Sequence, residues 1–123
     1  MSHSLPHPID DISAYHAHVY FDDDSTEFAT QLCQQAWLQF HISLGRRHAG
    51  PVGPHPVASC QLAFAADQFT ALIPWLAANR GDLTVLVHGL SGDDWADHTT
   101  HAQWLGTPAE LNLAMFEPAA DNP

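Results

Sequence analysis

The chain has 123 residues, with 14 acidic side chains against three arginines and no lysine, for a formal charge of −11 at neutral pH. That balance excludes binding to nucleic-acid phosphates or to anionic membrane surfaces, both of which need a basic footprint. The length fits one domain with its own core, and a hydrophobic content of 46% excludes disorder throughout.

Residues 1–11 read as a flexible leader, with Pro6 and Pro8 among polar neighbours and no periodicity. The stretch lacks the basic and apolar regions of a signal peptide, and no apolar run reaches the roughly 20 residues of a membrane span. A cytoplasmic location is expected on that basis. The domain itself is expected over 12–117, followed by a flexible tail at 118–123. Cys33 and Cys60 lack CxxC spacing and read as reduced, buried thiols.

The first predicted strand runs from Ser13 to Phe21, rich in aromatic and β-branched residues and free of Gly, Pro and Asn. Alternation places Tyr15, Ala17, Val19 and Phe21 on one face, suited to a core, and His16, His18 and Tyr20 on the other. The acidic run from Asp22 ends the strand, and Asp24 or Ser25 is expected to cap a helix over Thr26–Phe40. His41–His48 reads as a second strand, with Ile42, Leu44 and Arg46 facing opposite to Ser43, Gly45 and Arg47. A turn cluster from Gly50 to Pro54 leads to a third strand, Pro56–Ala65. Asp67 is expected to cap a second helix, Gln68–Asn79, in which Pro74 is a blemish. Leu83–His88 is a fourth strand. Beyond it, 93–105 reads as a loop or short helix, and Leu111–Phe116 as a possible fifth strand.

The order β-α-β-β-α-β predicts an α+β, ferredoxin-like sandwich with a C-terminal extension: a four-stranded antiparallel sheet with two helices on one face. The other face is left to meet solvent, a second subunit or a ligand.

Histidine is the informative excess, with ten in the chain. His16 and His18 lie two residues apart on one strand face, roughly 7 Å at the rise of a β-strand. The predicted topology sets the end of the fourth strand, with His88, beside the start of the first. Three imidazoles on one sheet face form a set suited to Fe(II), Zn²⁺ or another divalent transition metal. The competing reading is three ordinary histidines bonded to backbone or water. His55 stands between Pro54 and Pro56, which fix the backbone on both sides. Asp97-His98 pairs a carboxylate with an imidazole. Arg47 is a candidate for holding an anionic substrate group, and Tyr20, on the histidine face, is a candidate substrate contact. No GxSxG elbow supports a serine hydrolase, and no Gly-rich loop supports phosphate binding.

Five pieces in order resemble the DOPA 4,5-dioxygenase family of fungi and bacteria. They are His16-Ala17-His18-Val19-Tyr20-Phe21, Gly53-Pro54-His55-Pro56, Asn79-Arg80-Gly81 with Leu83–His88, Asp97-His98-Thr99, and Trp104-Leu105-Gly106. Where the family has Pro after the fourth-strand His, this chain has Gly89. The resemblance implies extradiol cleavage of a catechol, DOPA-like substrate by non-haem Fe(II) and O₂. It implies His16, His18 and His88 as metal ligands, with His55 and His98 as acid/base residues or a replacement ligand. Asp97 is the first choice if the ligand set is two His and one carboxylate. A homodimer is expected. The rival reading is a non-catalytic metal- or small-ligand-binding module, dimeric through its open sheet face.

Overall fold

The computed structural model describes residues 5–116. In chain order these form β1 (Ala14–Phe21), α1 (Thr26–Phe40), β2 (Ser43–His48), β3 (Ala58–Ala65), α2 (Ala66–Asn79), β4 (Val85–Gly89), α3 (Asp94–His98) and β5 (Gln103–Leu105). One antiparallel sheet has the order β2-β3-β1-β4-β5. The first four strands have the expected ferredoxin-like arrangement, with β1 central between β3 and β4.

The apolar set of β1, Tyr15, Ala17, Val19 and Phe21, is buried beneath α1 and α2 as its alternation requires. Leu32, Cys33 and Ala36 of α1 and Phe69, Leu72 and Leu76 of α2 complete this core. Cys33 and Cys60 are free and buried within it.

Local details depart from the sequence expectations. Ser25 occupies the N-cap position of α1, as one of the two expected candidates, but without a side-chain cap bond; Asp22 caps the 3₁₀ turn Asp23–Ser25 just ahead of it, accepting from the Ser25 backbone N–H at 3.0 Å and from its hydroxyl at 2.8 Å. Asp67 is not the cap of α2 but lies in its first turn, because the helix begins directly at the end of β3. The Gln68 side chain reaches back to accept from the Ala65 N–H at 2.9 Å. α2 continues through Pro74, whose missing N–H removes the bond to the Thr70 carbonyl; both residues lie on the exposed side of the helix. The fifth strand is Gln103–Leu105, and the stretch expected to supply it holds instead a short 3₁₀ turn, Ala114–Phe116.

One departure changes the site. β2 and β3 pair as Ser43 with Ala63 and Leu44 with Leu62, then as Arg47 with Cys60 and His48 with Ser59. The extra residue is a β-bulge, and such an insertion turns every later side chain to the opposite face. Arg47 therefore stands on the helix side, its Nη1 3.4 Å from the Thr30 hydroxyl of α1. His48 takes the place on the histidine side that unbroken alternation assigns to Arg47.

The face opposite α1 and α2 is covered by the chain's own later segments. α3 brings His98 against His88, with ring centroids 4.3 Å apart. The stretch around Asn112 crosses the turn that carries His55, with the Asn112 N–H donating to the Pro54 carbonyl at 2.8 Å. Phe116 stacks on His98 at 4.5 Å. The described part of the leader runs beside the sheet. His7 exchanges two hydrogen bonds with the Gln103 side chain, and the Ile9 N–H donates to the Tyr15 hydroxyl. Residues 1–4 and the tail at 118–123 lie outside the described residues.

Candidate metal centre

β1 presents His16, His18 and Tyr20 to the covered face, and the antiparallel register sets His16 directly opposite His88 of β4. His18 and His88 are buried and His16 is partly buried. Their ligand nitrogens all lie within 4.8 Å of one another. The His18 and His88 Nε2 atoms are 3.1 Å apart, with the rings stacked at 13°. Two nitrogens bound at right angles, each about 2.1 Å from one ion, are about 3.0 Å apart. The observed separation therefore fits two ligands of a single metal.

Proton placement supports the fit. His88 Nδ1 lies 2.9 Å from the Gly89 carbonyl, which can only accept, so Nδ1 carries the hydrogen and Nε2 keeps its lone pair. A ring nitrogen anchored to a carbonyl, leaving the other free, is the usual support of a metal-binding imidazole. Gly89 beside it makes room for the Ile12 side chain. A Cβ there would come within 2.6 Å of Ile12 Cγ2 and 3.4 Å of the Tyr15 ring.

Electrostatics leave these imidazoles uncharged at neutral pH. Burial, reinforced by neighbouring imidazoles, holds His18 well below the usual histidine range. Burial lowers His16 as well, with His98 adding to the effect. His88 is brought down to about 4, chiefly by burial, against the opposing effect of its bond to Gly89. Neutral rings ligate a cation without first losing protons.

Asp97 does not join this group. It is almost fully buried, and both carboxylate oxygens are bonded to Ser91, one to its N–H at 3.0 Å and one to its hydroxyl at 2.6 Å. It fastens the β4–α3 connection, which places His98. Among the described residues the set that can hold an ion is three imidazoles.

His55 and His98 flank the cluster. The turn before His55 is closed by its N–H donating to the Val52 carbonyl at 2.9 Å, with Gly53 at a φ of +53°. A glycine suits that conformation because it has no Cβ to clash. His55 packs on His18, ring centroids 4.1 Å apart, and its Nδ1 lies 2.7 Å from the Tyr20 hydroxyl. Burial pushes the Tyr20 phenol well above its ordinary value, so it keeps its proton and can either donate to Nδ1 or accept from it. With Tyr20 as the donor, His55 carries its own hydrogen on Nε2. Burial and the nearby His98, His48 and His16 lower His55 to about 4. His98 has the opposite arrangement: Nδ1 donates to the Asp94 carbonyl at 2.8 Å, and Nε2 has the lone pair.

The structure thus brings together His16, His18, His88, His55, His98 and Tyr20, and places Arg47 on the other side of the sheet. The Tyr20 hydroxyl is engaged with His55. The residue that sequence reasoning missed is His48. Its only signal was Gly45 early in β2, where a Cβ would meet the Gln61 side chain at 3.2 Å, since glycine inside a strand often marks a bulge.

Fold and site together define a ferredoxin-like domain with a buried three-imidazole cluster able to bind a metal ion. Residues 15–115 match the Dopa 4,5-dioxygenase family, and the chain belongs to that family. It is 35% identical over 116 residues to an uncharacterized 21.2 kDa protein of Botryotinia fuckeliana, covering 85% of this chain and 63% of that one. It is 32% identical over 121 residues to the DOPA 4,5-dioxygenase of Amanita muscaria, covering 90% of this chain and 53% of that enzyme. The chain therefore spans less than two thirds of the length of these curated relatives. A crystal structure from Nostoc punctiforme, whose name carries a provisional dioxygenase assignment, superposes with a TM-score of 0.81 at 41% identity, covering 83% of this chain and 89% of that one.

Proposed function

We propose that this protein is an Fe(II)-dependent extradiol dioxygenase acting on a catechol. The observation that carries the reading is the 3.1 Å approach of His18 and His88 Nε2, with His16 beside them. His16, His18 and His88 hold the ion. Fe(II) there supplies Lewis acidity toward the two ring hydroxyls and the redox capacity to use O₂. In the overall reaction the ring C–C bond beside the diol breaks, and both atoms of O₂ enter the product.

The two flanking histidines divide the proton work according to their hydrogen bonds. His98 has a bare Nε2 and serves as the base that takes a catechol proton. His55, with the Tyr20 hydroxyl donating to its Nδ1, carries an Nε2–H and serves as the donor that returns one. Tyr20 is thus a positioning residue. The burial of His18 and His88 strengthens each electrostatic contact they make.

Protein loaded anaerobically with Fe(II) and then mixed with oxygenated buffer and a panel of catechols tests the reading. One O₂ consumed per catechol, with a yellow ring-opened semialdehyde, is the expected result. Fully loaded protein that takes up no O₂ with any catechol overturns it. His98→Gln is expected to lower kcat by about 10²–10⁴, the usual contribution of a general base, with metal content unchanged.

A further inference from the structure

A cavity of about 220 Å³ opens beside His18, lined by His48, His55, Ser59 and Gln61 and bounded by Val52, Gly53 and Pro54. It is smaller than the roughly 300 Å³ at which drug-sized sites begin, so it suits a substituent of a one-ring molecule. Its floor follows from the strand register: Gln61 stands opposite His18, and Ser59 is paired with both Tyr20 and His48.

Polar groups in this cavity are uncommitted. The cluster's side-chain bonds join His18 to His88 and Tyr20 to His55, leaving the Ser59 hydroxyl, the Gln61 amide and the His48 ring without a protein partner among the described residues. All three can donate a hydrogen bond. Among the described residues, no acidic side chain lines the cavity. No Phe, Tyr or Trp face is present there to receive a cation either.

We infer that this cavity is the subsite for a carboxylate arm on the ring substrate, read by His48, Ser59 and Gln61, and that it selects against an ammonium on the same arm. The inference rests on the catechol reading of the metal centre. A carboxylate has about four acceptor positions and suits a ring of donors. An α-ammonium there would meet no carboxylate among the described residues, and so lacks the counter-charge that its desolvation demands. The preferred substrates are therefore dihydroxyphenyl carboxylic acids, in preference to dihydroxyphenyl amino acids.

Calorimetric binding to the Fe(II)-loaded protein without O₂ tests this with three compounds: 3-(3,4-dihydroxyphenyl)propionate, DOPA and 4-ethylcatechol. The propionate is expected to bind about tenfold tighter than either of the others, the scale of one hydrogen bond to a charged group. His48→Leu and Gln61→Leu each remove that preference while leaving 4-ethylcatechol affinity unchanged, a pattern that general loosening of the fold does not produce. Equal binding of all three compounds, or DOPA binding as tightly as the propionate, overturns the subsite and leaves the metal–catechol reading intact. A preference that survives in both variants overturns the residue assignment. No binding of any of the three overturns both the subsite and the reading beneath it.

Discussion

Alternate residues of β1 enter two interiors of opposite character. Toward α1 and α2 the strand buries Tyr15, Ala17, Val19 and Phe21 among aliphatic and aromatic neighbours. Toward α3 and the C-terminal segment it buries His18 and Tyr20 nearly as deeply, 5% and 4% exposed. Burial on the first side releases water from apolar surface and stabilises the fold. On the second side it strips water from imidazoles and lowers their basicity, which is unfavourable unless they are used. The contrast teaches that the two faces answer to different demands, the first to packing and the second to chemistry. Four experiments would break or sharpen that division.

The largest effect is expected on the helix side. Leu72→Ala should lower unfolding free energy by about 2–5 kcal/mol, the usual loss for a buried leucine, while metal affinity of the folded protein is unchanged; urea unfolding and metal titration report the two. A large fall in affinity would mean that the faces are coupled. Second, His18→Ala should weaken Fe(II) or Zn²⁺ binding by more than about 100-fold, beyond what changes outside the ligand set produce, with far-UV circular dichroism retained. Full metal content in this variant would remove the central ligand from the proposal.

Third, Gly89→Ala places a Cβ against Ile12 at 2.6 Å and should cost about 1–3 kcal/mol, as overpacking does. Thermal unfolding of the variant and of the Gly89→Ala, Ile12→Ala double variant checks the cause, because removing the Ile12 methyls should recover most of the loss. The smallest effect concerns pH in the metal-free protein. His55 and His88 are held near 4 when folded, against an ordinary value of 6.5. The unfolded chain therefore binds more protons between these values, and stability is complete above about pH 6.5 and declines as pH falls toward 4. A step from pH 7 to pH 6 should lose about 0.7 kcal/mol for each of the two. A urea midpoint that does not move over this step would contradict their burial as neutral rings.

Much of the site was legible because it depends on local rules. Strand alternation put His16 and His18 on one face, and the order of elements brought His88 alongside. Flanking prolines marked His55. Two of the family pieces have a structural role. Arg80 donates to the Leu83 carbonyl at 2.9 Å, and Gly106, at a φ of +80°, leaves room where a Cβ would lie 2.7 Å from the guanidinium. The Arg47 and His48 positions were not legible, because a bulge is decided by how β2 meets β3, and one inserted residue exchanges the two faces. The hydrogen bonds of Asp97 were hidden for a related reason: its partner, Ser91, lies six residues earlier in an irregular loop.

The sequence by itself determined the ferredoxin-like order, the apolar stripe of β1 and the pairing of two histidines on its other side, since periodicity and element order suffice for these. Only the tertiary structure decided that this second side is an interior, that Tyr20 is hydrogen-bonded to His55, and that His48 stands in the cavity beside His18. Those outcomes depend on contacts between segments distant in the chain, whose geometry no local pattern encodes.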